Sequence, residues 1–396
     1  MSPSGPPAVL RPPASLGVIG GGQLGRMFLQ AAQRMGYRAG VLSASDDAPA
    51  AQVAHWSVVA PSDHLPALRA FADRAEAVTV EFENVSAPAL RWLARRRPVR
   101  PGWRTVWVSQ NRIREKSFLT RHRIPHAPWH LVRTGDDLEA AVEAVGLPLI
   151  LKTASSGYDG KGQVRVDRAR DATAAWSSLG HVACVAEGWV DFQAEVSVVV
   201  ARGRDGQAVT YPVGQNRHDR HILDSTVMPA AVGPIVAQEA RRLALTVSQA
   251  LGTVGVLTVE FFLTAEGRLL INELAPRPHN SGHLTIEAAV SSQFEQQVRA
   301  LCGLPLGMTN LVSPAAMVNV LGDLWTGGEP DWEAALRADP GVKLHLYGKR
   351  TPSTGRKMGH LTVLDPDPEA ALARALAARA ALKPRVARTR VVTGRG

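Results

Sequence analysis

Cysteine is nearly absent. Cys184 and Cys302 are the whole complement of 396 residues, too few for a disulfide framework and not spaced for a metal site, which fits a reducing compartment. Long apolar runs are missing too: no stretch reaches the length of a membrane span. No basic segment precedes an apolar core at the N-terminus, so no secretory signal is expected and a cytoplasmic protein is. No internal repeat is visible. Acid is missing from the end of the chain, where no Asp or Glu follows Glu369.

What is present is a composition of 45% hydrophobic and 20% charged residues, enough for two or three domains with full cores. The net charge of +10 is concentrated in two places: Lys383, Arg385, Arg388, Arg390 and Arg395 near the end, and Arg95, Arg96, Arg97 and Arg100 after a predicted helix. Surface clusters of this kind attract anions in general, phosphorylated metabolites included, and do not call for a nucleic-acid or membrane partner.

Residues 1–14, rich in Pro, Ser and Ala, are expected to be a disordered lead-in. Order is predicted to begin with a strand at Leu16–Ile19, followed by Gly20-Gly21-Gly22-Gln23-Leu24-Gly25 and a helix with Leu24, Met27, Phe28, Ala31, Ala32 and Met35 at helical spacing. Strands at Tyr37–Leu42 and Ala77–Val80 and a helix at Leu65–Ala75 continue the alternation, which implies an open, mostly parallel sheet with its ligand edge at the strands' carboxyl ends. The glycine turn and Glu81 both fall on that edge. The Pro-punctuated stretch Ile124–Pro128 follows a basic helix at Asn111–Arg121. Downstream lie a helix at Asp136–Val145, strands at Leu149–Lys152, Gln163–Val166, Val182–Glu187 and Glu195–Ala201, and a long helix at Pro234–Leu251. A helix over Thr285–Leu301 precedes strands at Ala315–Leu321, Val342–Tyr347 and Leu361–Leu364 and a helix at Pro368–Leu382.

The stretch Val256–His283 carries the densest chemistry. Two apolar runs around Ala265-Glu266-Gly267-Arg268 read as a β-hairpin. If the turn is two residues, paired positions sum to 533 and Glu260 faces Glu273. Like charges opposed across strands repel, so a cation between them is the economical explanation, and oxygen ligands beside Asn272 suit magnesium brought in with a nucleotide. A one-residue slip through a bulge would instead leave two solvated glutamates.

Two glycine-rich turns compete for the nucleotide. Gly20, Gly22 and Gly25 match G-x-G-x-x-G with Asp46 and Asp47 downstream, as a dinucleotide fingerprint has; no constellation for hydride transfer accompanies it. The second, Gly157-Tyr158-Asp159-Gly160-Lys161-Gly162-Gln163, leads into a strand and lacks P-loop spacing, but its backbone amides can approach a polyphosphate with Lys161 and Lys152 supplying positive charge. A hairpin tip with an exposed lysine is the alternative.

Lys152, the Gly157–Gln163 loop, Glu187-Gly188-Trp189-Val190, Glu195, Asn216-Arg217-His218, Glu260 and Asn272-Glu273 resemble the ATP-grasp superfamily. More narrowly, Gly22–Met27, Gly157–Gln163, Ala275–His283, Ser292–Glu295 and Gly355–His360 resemble the 5-(carboxyamino)imidazole ribonucleotide synthase family of purine biosynthesis, over about Leu16 to Leu382. The resemblance implies an α/β protein in three parts: a Rossmann-like doubly wound parallel-sheet domain (15–110), an ATP-grasp α+β domain (111–310, lid about 125–195) and a small β-rich C-terminal domain (311–382), ahead of a basic tail (383–396). It implies an ADP-forming ligase that makes a C–N bond, carboxylating 5-aminoimidazole ribonucleotide with ATP, magnesium and bicarbonate through carboxyphosphate, in a homodimer. The related formate-dependent glycinamide ribonucleotide transformylase is the alternative.

Residue by residue, the resemblance places Arg112 and Lys152 on the nucleotide or its phosphates, Gly157–Gln163 over the phosphates, Glu187–Val190 at the adenine edge, Glu195 on the ribose and His218 near the nucleotide. Glu260 and Glu273 would hold magnesium, with Asn272 beside them. Arg277, His279, Asn280 and Asp159 would be catalytic. Gln23, Leu24, Glu81, Asp159, Lys349, Arg356 and Lys357 would bind the ribonucleotide, the last three at its 5′-phosphate. Two positions depart from the family's pattern: Ala154, where a basic residue is common, and His221, where a glycine is common.

Overall fold

The computed structural model describes residues 9–155, 157 and 160–383. Three sheets organise it. The first is parallel and four-stranded, in the order Trp56–Val59, Arg38–Ser43, Ser15–Ile19, Ala77–Val80. Both faces are covered, by the helix Gln23–Arg34 on one side and Leu65–Arg74 and Ala87–Ala94 on the other, which is why its strands read as apolar runs instead of alternating. Ile19 pairs with Val80, so Gly20 and Glu81 leave the sheet side by side.

The expected disorder of the lead-in does not extend to residues 9–14. Leu10 donates its N–H to Cys302 O at 3.0 Å and accepts from the Tyr37 hydroxyl at 2.8 Å, and Arg38 N donates to Ala14 O at 3.1 Å. Leu10 and Ala14 pack on the apolar cluster around Met27 and Phe28, which offsets the entropy of ordering this short segment. Residues 1–8, like 384–396 of the basic tail, lie outside the described residues.

The second sheet is antiparallel and four-stranded: Trp129–Val132, Cys184–Gly188, Leu149–Thr153, Gln163–Val166. Alternation divides its faces. Leu149, Leu151, Ala186 and Val166 bury against the helices Gly135–Val145 and Ala172–Ser178, which turns Ile150, Lys152, Gln163 and Glu187 to the other side.

The third sheet runs Leu269–Ala275, Gly255–Leu263, Ala194–Arg202, Gly214–Asp219, Ile222–Met228, Ala315–Leu321, Lys357–Leu364, Lys343–Leu346, with Ala208–Thr210 on Ala194–Arg202. The C-terminal strands thus continue the central sheet, because Ile222–Met228 pairs directly with Ala315–Leu321. The final long strand begins at Lys357, four residues before its apolar part, and brings that lysine to the central cavity.

The helix expected over Thr285–Leu301 is two, Thr285–Ala288 and Gln293–Cys302. Between them Val290 N and Ser291 N donate to Asn310 O and Met308 O, and the Ser292 side chain caps the second helix by accepting from Glu295 N; cross-chain pairing and a serine cap outcompete helical continuation. The second helix ties the protein together through buried amides. Gln297 Oε1 accepts from Val256 N at 2.7 Å while its Nε2 donates to Thr79 Oγ1 at 2.7 Å. Gln296 makes a two-pronged bond to the Gly307 backbone. Arg100 Nη1 donates to the carbonyls of Ala300 and Leu301 at the helix's C-terminal end, where a cation complements the dipole. In the same basic cluster Arg97 donates to Ala72 O, and Arg96 lies over Trp92 at 3.8 Å, so part of the positive charge is structural.

Candidate active site

A cavity of about 1040 Å³ lies where the three sheets meet. Of the residues the sequence singles out, Gln23, Leu24, Glu81, Arg112, Lys152, Gly157, Gly160, Gln163, Trp189, Glu195, His218, Glu260, Asn272, Glu273, Arg277, His279, Asn280 and Lys357 line it. Lys161, Gly162, Glu187, Gly188, Val190, Lys349 and Arg356 do not. Tyr158 and Asp159 lie outside the described residues.

The paired acids face each other by a route the two-residue turn did not anticipate. Near the tip, Leu263 pairs with Leu269 and Phe261 with Ile271, so the sum there is 532; the register then shifts and Glu260 pairs with Glu273. Asn272 is the extra residue of a β-bulge. A bulge re-aims side chains, and here it sends both Asn272 and Glu273 into the cavity where strict alternation would send one away. The bulge is held from behind: Leu274 N donates to Glu115 Oε2 at 3.1 Å, and Lys116 Nζ donates to Asn272 O at 3.4 Å. Burial first, and the Glu273 charge second, push Glu260 up to about 7. A half-buried pair of facing carboxyls suits a divalent cation, and ions of the magnesium type take one or two protein carboxylates with the rest of the shell from phosphate and water.

His279 Nε2 lies 3.3 Å from Glu260 Oε1. Its Nδ1 accepts from Ser281 N at 3.3 Å and meets Ser281 Oγ at 2.9 Å, while Ser197 Oγ donates to Ser281 Oγ at 3.0 Å. With Nδ1 an acceptor, the proton belongs on Nε2, directed at Glu260. Burial and the neighbouring Arg277 hold the imidazole well below its ordinary pKa. Arg277 is paired at 2.6 Å with Glu83; burial opposes its charge, but Glu83 holds it above the ordinary value. Asn280 exchanges amide bonds with Asn319 at 3.2 and 2.8 Å, committing one donor and one acceptor and leaving another N–H for a ligand.

On the opposite wall Lys152 Nζ contacts Glu187 Oε2 at 3.0 Å and the fully buried Lys116 approaches the same oxygen at 3.4 Å. Burial works against the Glu187 anion, but the two lysines outweigh it and bring the pKa to about 2. The Glu187 side chain is therefore engaged by the two lysines. Glu195 Oε2 accepts from His218 at 2.7 Å. Arg112 Nη1 donates to Thr153 O at 3.2 Å, and a side chain at Gly157 would lie 2.8 Å from that guanidinium nitrogen.

The first glycine turn is occupied from within. Gly22 N and Gly25 N both donate to the Glu81 carboxylate, the latter at 2.8 Å. Cβ atoms at Gly20 and Gly22 would fall 2.3 and 2.8 Å from Glu81 atoms. The helix N-terminus that would hold a dinucleotide pyrophosphate already holds an anion, which removes the NAD reading. Lys349 donates to Lys357 O at 2.6 Å, and the exposed Arg356 donates to Thr351 O at 2.6 Å; of the three basic residues assigned to a 5′-phosphate, Lys357 alone reaches the cavity wall.

Residues 14–110 match the ribonucleotide synthetase preATP-grasp domain, 117–294 the ATP-grasp domain, and 315–374 the phosphoribosylaminoimidazole carboxylase C-terminal domain. The chain is 42% identical over 356 residues to the N5-carboxyaminoimidazole ribonucleotide synthase of Bacillus subtilis, covering 90% of this chain and 93% of that one. It belongs to the N5-carboxyaminoimidazole ribonucleotide synthase family. A Brucella melitensis member is 42% identical over 90% of this chain and 98% of its own. Among solved members, an ADP complex superposes with a TM-score of 0.89 at 40% identity, covering 94% and 98% of the two chains. An Aspergillus clavatus synthase in complex with ADP and 5-aminoimidazole ribonucleotide superposes with 0.85 at 31% identity, covering 93% and 98%.

Several residues that line this synthase-family cavity or lie directly behind it carry little signal in the sequence pattern. Glu83 sits at the strand end beside Glu81, and its pairing with Arg277 joins residues 194 positions apart. Glu115 and Lys116 are buried on a helix that reads as basic overall; burial chiefly raises Glu115 to about 8. Phe192 and Phe262 stack at 4.6 Å on the cavity's apolar side. Only the apolar periodicity of the hairpin could have flagged the last.

Proposed function

We propose that this cavity carries out the family's reaction with the residue roles set out here. The protein is an ATP-dependent, ADP-forming ligase that carboxylates 5-aminoimidazole ribonucleotide to its N5-carboxyamino product in purine biosynthesis. The observation that carries the reading is the convergence of Lys152, Arg112, Gly157, Gly160 and Gln163 with Glu260, Glu273, Arg277 and His279 around one cavity. Phosphoryl transfer needs positioning and charge neutralisation more than covalent groups.

Glu260 and Glu273 are the residues that would hold magnesium, with the Asn272 carboxamide beside them; the ion would supply neutralisation of phosphate charge. Lys152 and Arg112 take phosphate charge, the strand Cys184–Gly188 and Trp189 border the adenine, and Phe192 and Phe262 give the base an apolar surface. Glu195 takes the ribose hydroxyls on the oxygen not engaged by His218. Arg277, fixed by Glu83, and the neutral His279 orient bicarbonate for attack on the γ-phosphate. This gives carboxyphosphate and ADP, and the exocyclic amine then takes the carboxyl group with loss of inorganic phosphate and of one amine proton. Gln23, Leu24, Glu81 and Lys357 form the ribonucleotide end, with Asp159 at the junction; Lys349 and Arg356 join them at the 5′-phosphate after side-chain rearrangement. Residues 15–110, 111–310 and 311–382 act as three parts of a cytoplasmic homodimer.

The test is ADP release by the full chain. It should require magnesium and bicarbonate and be stimulated by 5-aminoimidazole ribonucleotide. Turnover with glycinamide ribonucleotide and formate, and none with the imidazole, would assign the transformylase reaction instead.

A further inference from the structure

Gln293 opens the helix Gln293–Cys302 and is completely buried. Its carboxamide addresses the main chain of another residue from both sides. Oε1 accepts from His279 N at 2.8 Å, and Nε2 donates to His279 O at 2.7 Å. The second Nε2 hydrogen faces His283 Nδ1 at 3.2 Å. Gln293 N donates to Thr285 Oγ1 at 3.0 Å, fixing the side chain's root. The close passage depends on Gly282, where a Cβ would come within 2.5 Å of Gln293 Oε1.

This two-pronged bond imitates one rung of a β-ladder. It holds His279 at φ −124° and ψ 156° in a segment that pairs with no strand among the described residues. That backbone setting sends the imidazole between Ser281 and Glu260. A neutral amide suits the task, because it offers acceptor and donor together without placing a charge behind the acids.

We propose that Gln293 is a positioning residue for the carboxylation, acting as a one-residue strand partner that sets the orientation of His279. The proposal rests on the role given to His279 above. The Glu variant tests it, since a carboxylate keeps the acceptor and loses the donor, whereas the protonated acid recovers both prongs. The titratable groups facing this position are His279 and His283.

Gln293→Glu and Gln293→Leu are to be compared with the unaltered full chain in steady-state ADP release from mildly acid to mildly alkaline pH. At alkaline pH Gln293→Glu should lose about 10²-fold in kcat, the scale of a small misplacement of a reacting group, with KM for ATP nearly unchanged. Its activity relative to the unaltered chain should climb steadily as pH falls, while Gln293→Leu stays low at every pH. A Glu variant equal to the unaltered chain throughout, or a ratio flat with pH, overturns the proposal.

His279→Ala separates the two levels of argument. If it remains active, the role of His279 fails; if it is inactive while Gln293→Glu is normal, the Gln293 inference alone fails. Should the variants not fold, hydrogen exchange on the unaltered protein decides. The His279 amide should exchange at least tenfold more slowly than the exposed turn at Glu266 and Gly267, and equal rates overturn the clamp.

Discussion

The two glycine-rich turns look alike in the sequence and do opposite work. At Gly20–Gly25 the amides of a helix N-terminus close on Glu81, and the glycines exist to let that carboxylate in. At Gly157–Gly162 no helix follows; the chain runs into the strand Gln163–Val166. Thr153 N donates to Gly162 O at 2.8 Å, and Gly157 and Gly160 border the cavity. One turn closes on an internal carboxyl group, at the end proposed for the ribonucleotide. The other borders the cavity through Gly157 and Gly160, at the end proposed for the nucleotide. What separates them is the identity of the next element and the presence of a resident carboxylate, neither of which a glycine pattern encodes.

The assignment of the second turn to the nucleotide stands on the acids opposite it, and their loss should have the largest effect. Glu273→Gln should lower turnover by more than about 10³-fold, comparable to deleting a principal electrostatic stabiliser, with circular dichroism and melting temperature close to those of the unaltered protein. Near-normal ADP release would remove Glu273 from the metal site and leave the second turn without a reason to grip phosphate.

The first turn should break on the other substrate. Glu81→Gln keeps the shape but leaves one of the two amides, Gly22 N or Gly25 N, facing an NH₂ group. The cost is that of an unmade buried bond, about 1–3 kcal/mol in thermal or urea unfolding. KM for 5-aminoimidazole ribonucleotide should rise about tenfold, the equivalent of 1.4 kcal/mol, while KM for ATP stays put. A rise in KM for ATP alone would show that the two turns do not divide the substrates in this way.

A smaller effect reads the acid pair without turnover. Because Glu260 is raised to about 7, the folded protein holds a proton that the unfolded chain has released once pH passes its ordinary carboxyl range. This group's contribution to stability therefore falls as pH rises from there to about 7. A bound divalent ion removes the penalty, so the melting-temperature gain from Mg·ADP should be greater at about pH 8 than at about pH 6. Glu260→Gln should flatten that difference, and an unchanged pH dependence in the variant would place the titrating group elsewhere.

How much of this was legible in the sequence depends on whether a signal was local. The parallel sheet showed itself as apolar runs, and the paired acids emerged from counting across a turn. That count was right at Glu260 and Glu273 only because the bulge at Asn272 restores the sum that the longer turn had shifted. The strand Gly214–Asp219 has no alternation to read, since Gly-Gln-Asn-Arg-His-Asp is polar throughout; it is a strand because it lies between two others. The continuity of the C-terminal strands with the central sheet is a non-local pairing of the same kind. Glu83 with Arg277, Lys116 with Glu187, and Gln293 with His279 are side-chain meetings fixed by tertiary packing. No spacing rule reaches them.

The smallest expected effect concerns His221, which stands at φ 65°, where the resemblance described above leads one to expect glycine. The left-handed region costs an L-residue about 1–2 kcal/mol, but a glycine gives back roughly 0.5–1 kcal/mol through its freer unfolded chain. His221→Gly should therefore shift unfolding free energy by no more than about 1.5 kcal/mol. The informative quantity is its coupling to the second turn, because a Cβ at Gly160 would lie 2.5 Å from the Cβ of His221. Gly160→Ala should be markedly destabilising in the unaltered chain and less so beside His221→Gly, with a coupling of about 0.5–3 kcal/mol in a double-mutant cycle. The residual cost in the double variant is the left-handed backbone at Gly160 itself, φ 79°, which no change at position 221 relieves. Additive effects would mean that the cover of the nucleotide site and the Arg220–His221 corner do not touch in solution, and the closeness of the second turn to the body would lose its energetic support.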